Sequence, residues 1–562
     1  MKRTFHLLLT LAALTTAFFC AVCCNEPIDN PGGNTGGDEP APFVPDRGTT
    51  VYGVVQCDGK GIEGVAVTDG YEVTVTDKDG MYQLESVKKN SMVYISTPSG
   101  YSAPLEGVQA KFYQYLSNPA DSLERKDFNL EYVGDQTNHT MLFFGDMHLA
   151  ARTADREQFA AFTSEINGYL QAHKGQKTYA VTLGDMTWDL YWYSNKYSFK
   201  EYLKDVNAIN GLTIYHSMGN HDHNMLTSVS GASLGWDAVD WDTADSYRKT
   251  LGPNYYSFNI GKVHYIVLDD IYCTNTTGGT SGDRHYVEQL CSDAINWLRK
   301  DLAFVDKMTP VVVTMHSPVY NQQGSYDLEN GIDVVSIFNG FNYVRFVTGH
   351  SHRMWTVDNP HIHEHNSGAI CAAWWWAGYY NRSLNISTDG APGGYRIMDW
   401  TGAYETSYYK STGRPDNYQF RSYDRNSIKL NAADLGVTKY ASEFDAYLTK
   451  YGKYNTASSA NEVILNVWDY SPEWKISVRE NGKELKLSRM TGYDPLYLVA
   501  YTSYRFKSTN SPSFNPSGTN HLFKATASSA NSTLEITVTD DEGRTYTETM
   551  TRPKAFSINT YK

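Results

Sequence analysis

FNYVRFVTGHSHRMW, residues 341–355, is an apolar run that ends in T-G-H-S-H (348–352). A short apolar run bounded by a glycine reads as a buried strand, and this one delivers His350 and His352 at its end. On an extended chain, residues i and i+2 project the same way with Cα atoms ~6–7 Å apart. The pair is therefore expected to act as one clamp facing two neighbouring points. Taken alone, it also describes a polar strand end, and the surrounding segments decide between the two.

Four further segments have the same construction. TMLFFGDMH (140–148) runs into Asp146 and His148, and TYAVTLGDMTWD (178–189) into Asp185. LTIYHSMGNHDH (212–223) runs into Asn220 and His221, and TPVVVTMHSP (309–318) into His316. Between them lie stretches of helical spacing, such as 155–174 with Phe159, Phe162, Ile166 and Leu170, and also 199–209 and 288–302. Strand–helix alternation predicts an α/β layered domain. Its polar residues fall where the strands end, the edge at which open α/β sheets gather ligands.

The flanks differ. Residues 50–132 alternate short β-type runs with D-G turns and predict a small β-sandwich. Beyond 402 the runs EVILNVWD, WKISVRE, LYLVAY, HLFKATA, TLEITVTD and TYTETMT predict a second one. The organisation expected is an export segment (1–24), a Gly/Pro/Asp-rich linker (25–48), a first sandwich (49–133), the α/β domain (139–401) and a second sandwich (402–562).

Lys2 and Arg3 precede an apolar stretch over 7–22, the pattern of an export signal too short for a typical membrane span. Ala21, Val22, Cys23 and Cys24 resemble the lipobox of bacterial lipoproteins, with Cys24, or else Cys23, as the lipidated residue. The expected location is the periplasm or outer membrane surface of a Gram-negative bacterium, held only by that anchor. The formal charge of −14, with no basic tract, argues against bulk nucleic-acid binding. Cys57, Cys273, Cys291 and Cys371 are too sparse for a disulfide scaffold and read as unpaired thiols, although export would permit a Cys273–Cys291 bridge.

In order, the five segments follow the pattern D-x-H, G-D, G-N-H-[DE], H and G-H-x-H, and on this ground residues 141–400 resemble the calcineurin-like metallophosphoesterase superfamily. The flanking β modules are similar to companion domains of some bacterial members, the first of an immunoglobulin-like, carboxypeptidase-regulatory-like type. The resemblance implies a central β-sandwich clad in helices that holds two divalent ions. Asp146, His148 and His352 would bind one, Asn220, His316 and His350 the other, and Asp185 would bridge them. It further implies that Asn220 and His221 contact substrate, that a metal-bridging hydroxide attacks the phosphate ester, and that His221 protonates the departing alkoxide. Asp222 is expected either to orient His221 or to cap its loop.

The chemistry of the residues agrees with that reading. A pair of cations needs a carboxylate able to bridge it, with imidazole and amide ligands around. A nitrogen and oxygen set without thiolate suits Mn, Fe, Zn, Co or Ni. Trp188 stands where purple acid phosphatases carry a tyrosine ligand, and GDMTWD with GNHD departs from the protein serine/threonine phosphatases. Bacterial phosphomonoesterases and phosphodiesterases of nucleotides, phospholipid head groups or phosphoglycans remain. A non-catalytic glycan-binding surface protein is the competing reading, and the complete ligand set counts against it. Two features stay outside the constellation: HIHEH (361–365), expected as a polar strand face, and the aromatic run WWWAGYY (374–380), expected either as a substrate pocket or as a domain seam.

Overall fold

A computed structural model describes residues 43–226, 235–275, 284–360, 362–382 and 384–562; the export segment with Cys23 and Cys24, and His361, lie outside these. Asp46–Lys562 pack as one compact unit. Among the described residues no helix is long and apolar enough to cross a membrane.

Two sheets form the centre. The seven-stranded one has the order Tyr404–Ser411, Gly394–Thr401, Asn138–Phe144, Lys177–Thr182, Thr213–Tyr215, Gln109–Ala110, Leu105–Glu106. The six-stranded one has the order Tyr256–Ile260, Val263–Val267, Val311–Thr314, Val344–Thr348, Ile362–Asn366, Trp355–Asn359. The inner strands pair in parallel, so their C-terminal ends lie at one edge of each sheet.

Period-2 alternation decides what each strand faces. Along Asn138–Phe144, Met141 and Phe143 point into the core between the sheets, where they share a cluster with Tyr265, Val312 and Val347. Leu142 and Phe144 point outward onto Phe159, Phe162 and Tyr202 of helices Asp155–Ala172 and Phe199–Val206. The second sheet is covered in the same way by Trp297 and Leu298 of Ser292–Asp301 and Val334 of Gly331–Ile337. Strands buried on both faces explain why they read as unbroken apolar runs. Each fully buried large apolar side chain contributes ~1.5–3 kcal/mol.

Three expectations need correction. Residues 404–411 pair with Gly394–Thr401 as an edge strand of the first sheet, so a hairpin crosses the boundary expected at 401/402. The N-terminal module, two small sheets around Val51–Cys57 and Met92–Ile95, also contributes strands: Gln109 pairs with Ile214 and prolongs the same sheet. Hydrogen bonding drives this, because the short strand Thr213–Tyr215 would otherwise leave its edge unpaired.

The C-terminal domain holds two four-stranded sheets around Val463, Leu465, Val478, Ile536 and Val538, but it is not purely β. Ala441–Lys450 is a helix, and LYLVAY belongs to a helical stretch over Pro495–Phe506. Asp494 caps the N–H groups of Leu496 and Tyr497, with Pro495 in the first turn. A short apolar run fits a strand or a buried helix equally by periodicity. The Asp-Pro start was the discriminating signal.

Candidate metal centre

The C-terminal ends of five parallel or neighbouring strands bring Asp146, His148, Asp185, Asn220, His316, His350 and His352 together. They form two groups that share one atom. In the first, His148 Nε2 lies 2.8 Å from His352 Nε2 and 3.3 Å from Asp185 Oδ2, and His352 Nε2 lies 3.3 Å from Asp146 Oδ1. In the second, His316 Nε2 lies 3.0 Å from Asn220 Oδ1 and 3.4 Å from the same Asp185 Oδ2, while His350 Nδ1 stands 3.0 Å from His316 Nε2 and 3.1 Å from Asn220 Oδ1. Asp185 Oδ2 therefore faces both groups.

The backbone bends to achieve this. Asp146 (φ 51°), His148 (45°), Asp185 (51°), His350 (65°) and His352 (54°) are all left-handed. Each such residue costs ~1–2 kcal/mol relative to ordinary backbone, and strain of this kind clusters at functional sites. The extended geometry expected for 350–352 is thus incorrect: the strand ends at Thr348, and the two histidines part on a tight bend, one to each group.

Backbone approach is correspondingly close. A Cβ on Gly349 would stand 2.6 Å from Asp146 Oδ2, the atom that accepts the His350 N–H at 3.1 Å. Gly349→Ala is expected to lower metal content and turnover by ~10–100-fold, the range for displaced ligand support, with unchanged far-ultraviolet circular dichroism. Metal analysis beside a hydrolysis assay checks this.

Do the groups suit cations? The protons point elsewhere. His352 Nδ1 donates to Ala372 O at 2.6 Å and His316 Nδ1 to Leu183 O at 2.7 Å, so in the neutral rings both Nε2 atoms are lone pairs, free to bind an ion. Those lone pairs face carboxylate oxygens, acceptor against acceptor, and buried Asp146 Oδ1 has no hydrogen-bond partner. Ligands ~2.0–2.2 Å from one ion and at right angles stand ~3 Å apart. The residues therefore fit two cations.

Electrostatics agree. Burial pushes His148 well below its ordinary value, leaving a neutral imidazole. Burial would raise Asp185, but the imidazoles beside it, His316 first, hold the carboxyl well below its usual range. Asp185 in turn raises His316 to about 10, so without an ion a proton on that ring faces the carboxylate where a cation would stand. Cys371 lies behind His352, 3.6 Å from Nδ1, on the face turned away from the ligand atoms.

Family models match three consecutive parts of the chain. The N terminal of calcineurin-like phosphoesterase covers residues 49–133, calcineurin-like phosphoesterase 139–354, and the C terminal of calcineurin-like phosphoesterase 364–546. The chain belongs to the calcineurin-like phosphoesterase family. It is thereby a hydrolase acting on phosphate esters, with β-rich companion domains on both sides of the catalytic one. No curated protein matches it. Among solved structures it is similar to a purple acid phosphatase from yellow lupin seeds (13% identity, 62% of this chain and 67% of that one, TM-score 0.34). It is also similar to the anchor of the Plasmodium inner membrane complex (11%, 49% and 85%, 0.31) and to the NAD nucleotidase of Haemophilus influenzae (13%, 49% and 49%, 0.28).

In this phosphoesterase His221 stands at the rim, partly open to solvent, with its ring 5.1 Å from His148 and 5.2 Å from Trp188. Its backbone N–H donates to Asp185 Oδ1 at 2.7 Å. Of the two roles weighed for Asp222, the loop cap is the one present. Its carboxylate accepts from the N–H groups of Met186, Thr187 and Gly219 and from the Thr187 hydroxyl. The carboxylate that meets the His221 ring is Asp189, 2.9 Å from Nδ1 and fully buried. Arg284 clamps Asp189 with two bonds of 2.8 and 2.9 Å and reaches His221 Nδ1 at 3.0 Å.

Sequence reasoning missed Asp189, although it closes the quoted GDMTWD, and it missed Arg284, which carries no local signal. Asp270, at the end of KVHYIVLDD, was also missed; it anchors the His316 and Ser317 N–H groups at 3.1 and 2.7 Å. Asp189→Asn is expected to cost ~10–100-fold in kcat with metal content unchanged, the range for losing the partner of a functional imidazole. A loss of metal instead would place Asp189 in ion binding.

The aromatic run is both wall and seam. Trp374 stacks on His352 (centroids 4.0 Å apart) and, on its other face, on Phe514 of the C-terminal domain (3.7 Å). His363 and His365 pack on each other on the Ile362–Asn366 strand, away from the ligand groups.

Proposed function

We propose that the protein is an exported, lipid-anchored phosphoesterase that hydrolyses phosphate esters at a dinuclear centre outside the cytoplasm. What carries the reading is Asp185 Oδ2, which stands 3.3 Å from one ligand group and 3.4 Å from the other. Asp146, His148 and His352 would hold one divalent ion and Asn220, His316 and His350 the second, with Asp185 common to both. When bound, such a pair supplies activation of the nucleophile and neutralises the phosphoryl group.

The remaining steps belong to the protein. Asn220 and His221 orient the phosphoryl group. Asp189 keeps the Nδ1 proton of His221 engaged, which leaves Nε2 to carry the proton that goes to the departing alkoxide. Arg284 pairs with the buried carboxylate of Asp189 and fixes it against the His221 ring. Trp188 and Trp374 wall the site on the side of His148 and His352. Phe514 of the C-terminal domain stacks on Trp374 and holds that wall in place, while the first sandwich, read as immunoglobulin-like, prolongs the central sheet through Gln109.

The metal-loaded protein is expected to turn over p-nitrophenyl phosphate or bis(p-nitrophenyl) phosphate, and the preferred ester distinguishes a monoesterase from a phosphodiesterase. Turnover of neither by a protein with metals bound would favour a glycan-binding module. Palmitate labelling of whole cells, lost in Cys24→Ala or Cys23→Ala, tests the anchor.

A further inference from the structure

Outside the dinuclear centre, His223, Asp240, Asp269 and Cys273 converge from four segments. His223 follows the Asn220–Asp222 turn, Asp240 lies on the helix Trp236–Thr243, Asp269 follows the strand Val263–Val267, and Cys273 ends the strand Ile271–Cys273. His223 and Cys273 are completely buried and Asp269 nearly so. The ligand atoms of His223, Asp240 and Cys273 all lie within 4.8 Å of one another, and Asp269 Oδ1 is 3.5 Å from His223 Nε2.

The tautomer of His223 is set by its neighbours. The Thr243 hydroxyl donates its single hydrogen to Asp240 O at 2.9 Å. It must therefore accept from His223 Nδ1, 3.0 Å away, which places the neutral ring's proton on Nδ1. Nε2 is left as a bare lone pair, buried with no hydrogen-bond partner, and aimed at a carboxylate and a thiol. An unpaired buried acceptor of this kind costs ~1–3 kcal/mol, and two carboxylates beside it increase the cost. Either a proton or a cation has to lie among these atoms.

We propose that His223, Asp240, Asp269 and Cys273 bind a third divalent cation, of the zinc class, separate from the dinuclear pair. One imidazole, one thiolate and two carboxylates match the donor types zinc takes, and four protein ligands make a closed, structural site. In a tetrahedron, Zn–S and Zn–N bonds of about 2.3 and 2.0–2.1 Å put ligand atoms ~3.5 Å apart. The 3.5 Å between His223 Nε2 and Asp269 Oδ1 already matches that distance, and the atoms of His223, Asp240 and Cys273 lie within 4.8 Å of one another, so binding would draw them inward. The ion would tie the loop that carries Asn220 and His221 to the Ile271–Cys273/Tyr286–Glu288 hairpin. That hairpin adjoins Arg284, the partner of Asp189, and bears Glu288, 3.6 Å from His350. The third ion is thus a positioning device for both rims of the active site.

The alternative occupant is a proton. Burial opposes a charge on His223, but the neighbouring Cys273 and Asp269 raise it well above its ordinary value, so the metal-free cluster forms a buried imidazolium. The full chain, purified and loaded with divalent metal, distinguishes the two by stoichiometry and by spectrum. Three equivalents per chain are expected, falling to two in Cys273→Ser, while Asp185→Asn retains one. Cobalt loading is expected to give a thiolate charge-transfer band in the near ultraviolet that persists in Cys371→Ser and disappears in Cys273→Ser. Two equivalents in the unaltered chain, with no thiolate band, would overturn the proposal; so would a band that disappears in Cys371→Ser and not in Cys273→Ser. The first of these needs no variant, so poor folding of Cys273→Ser leaves the proposal open to refutation.

Discussion

Asp185→Asn is expected to leave a folded chain without its dinuclear pair and with hydrolysis reduced by at least ~10³-fold, the upper range for deleting one preorganised electrostatic group. The substitution keeps size and shape but removes the charge and one acceptor at the atom both ligand groups share. The imidazoles of His148 and His316 on either side of that atom then surround a neutral amide, and two cations a few ångströms apart lose the anion that screens their repulsion. The His221 N–H bond to Oδ1 survives in an amide, so the loop has no reason to collapse. Metal content, turnover and near-ultraviolet circular dichroism on one preparation are sufficient. A variant that kept both ions with only a few-fold loss of rate would show that Asp185 does not bridge them.

His221→Asn carries the second largest effect. If Nε2 protonates the leaving oxygen, the loss depends on how much that oxygen needs a proton. Alkyl phosphate esters, whose alkoxides are strongly basic, are expected to slow by ~10²–10⁴-fold, the span of general acid catalysis. p-Nitrophenyl esters, which depart as a stable phenolate, should slow far less. The difference in sensitivity between the two esters, with metal content unchanged, is the readout. Equal losses on both would make His221 a phosphate-binding residue only. Asp189→Asn should show the same leaving-group pattern in weaker form, because it acts through the His221 ring.

Much of this was legible in the chain. Each ligand follows a run of apolar residues directly, as in TMLFFGD and FVTGH, because a strand buried on both faces must be apolar throughout and can carry polar groups only at its end. Gly349 belongs to the same local code, since its missing Cβ leaves room for the Asp146 carboxylate. Strand ends, ligand types and their order along the chain are local properties, and local properties can be read from the sequence.

The partners across loops could not be read. Asp222 and Asp189 both follow motif residues closely, and nothing in GNHD or GDMTWD states which carboxylate meets the His221 ring. That choice depends on Arg284, 95 residues beyond Asp189, delivered by a hairpin whose placement is a property of the folded sheet. LYLVAY satisfied burial as strand or helix by its apolar pattern, and the Asp494 cap with Pro495 in the first turn starts the helix that then packs into the C-terminal core.

In the sequence, hydrophobic period located the α/β centre and its β-rich flanks, and the motif resemblance pointed to the seven residues that gather in the two candidate metal groups. Tertiary structure decided the left-handed bend that sends His350 and His352 to different groups, the Asp189–Arg284 clamp, and the gathering of His223, Asp240, Asp269 and Cys273. These depend on distances between segments remote in sequence, which are settled only when the sheets close on their shared core.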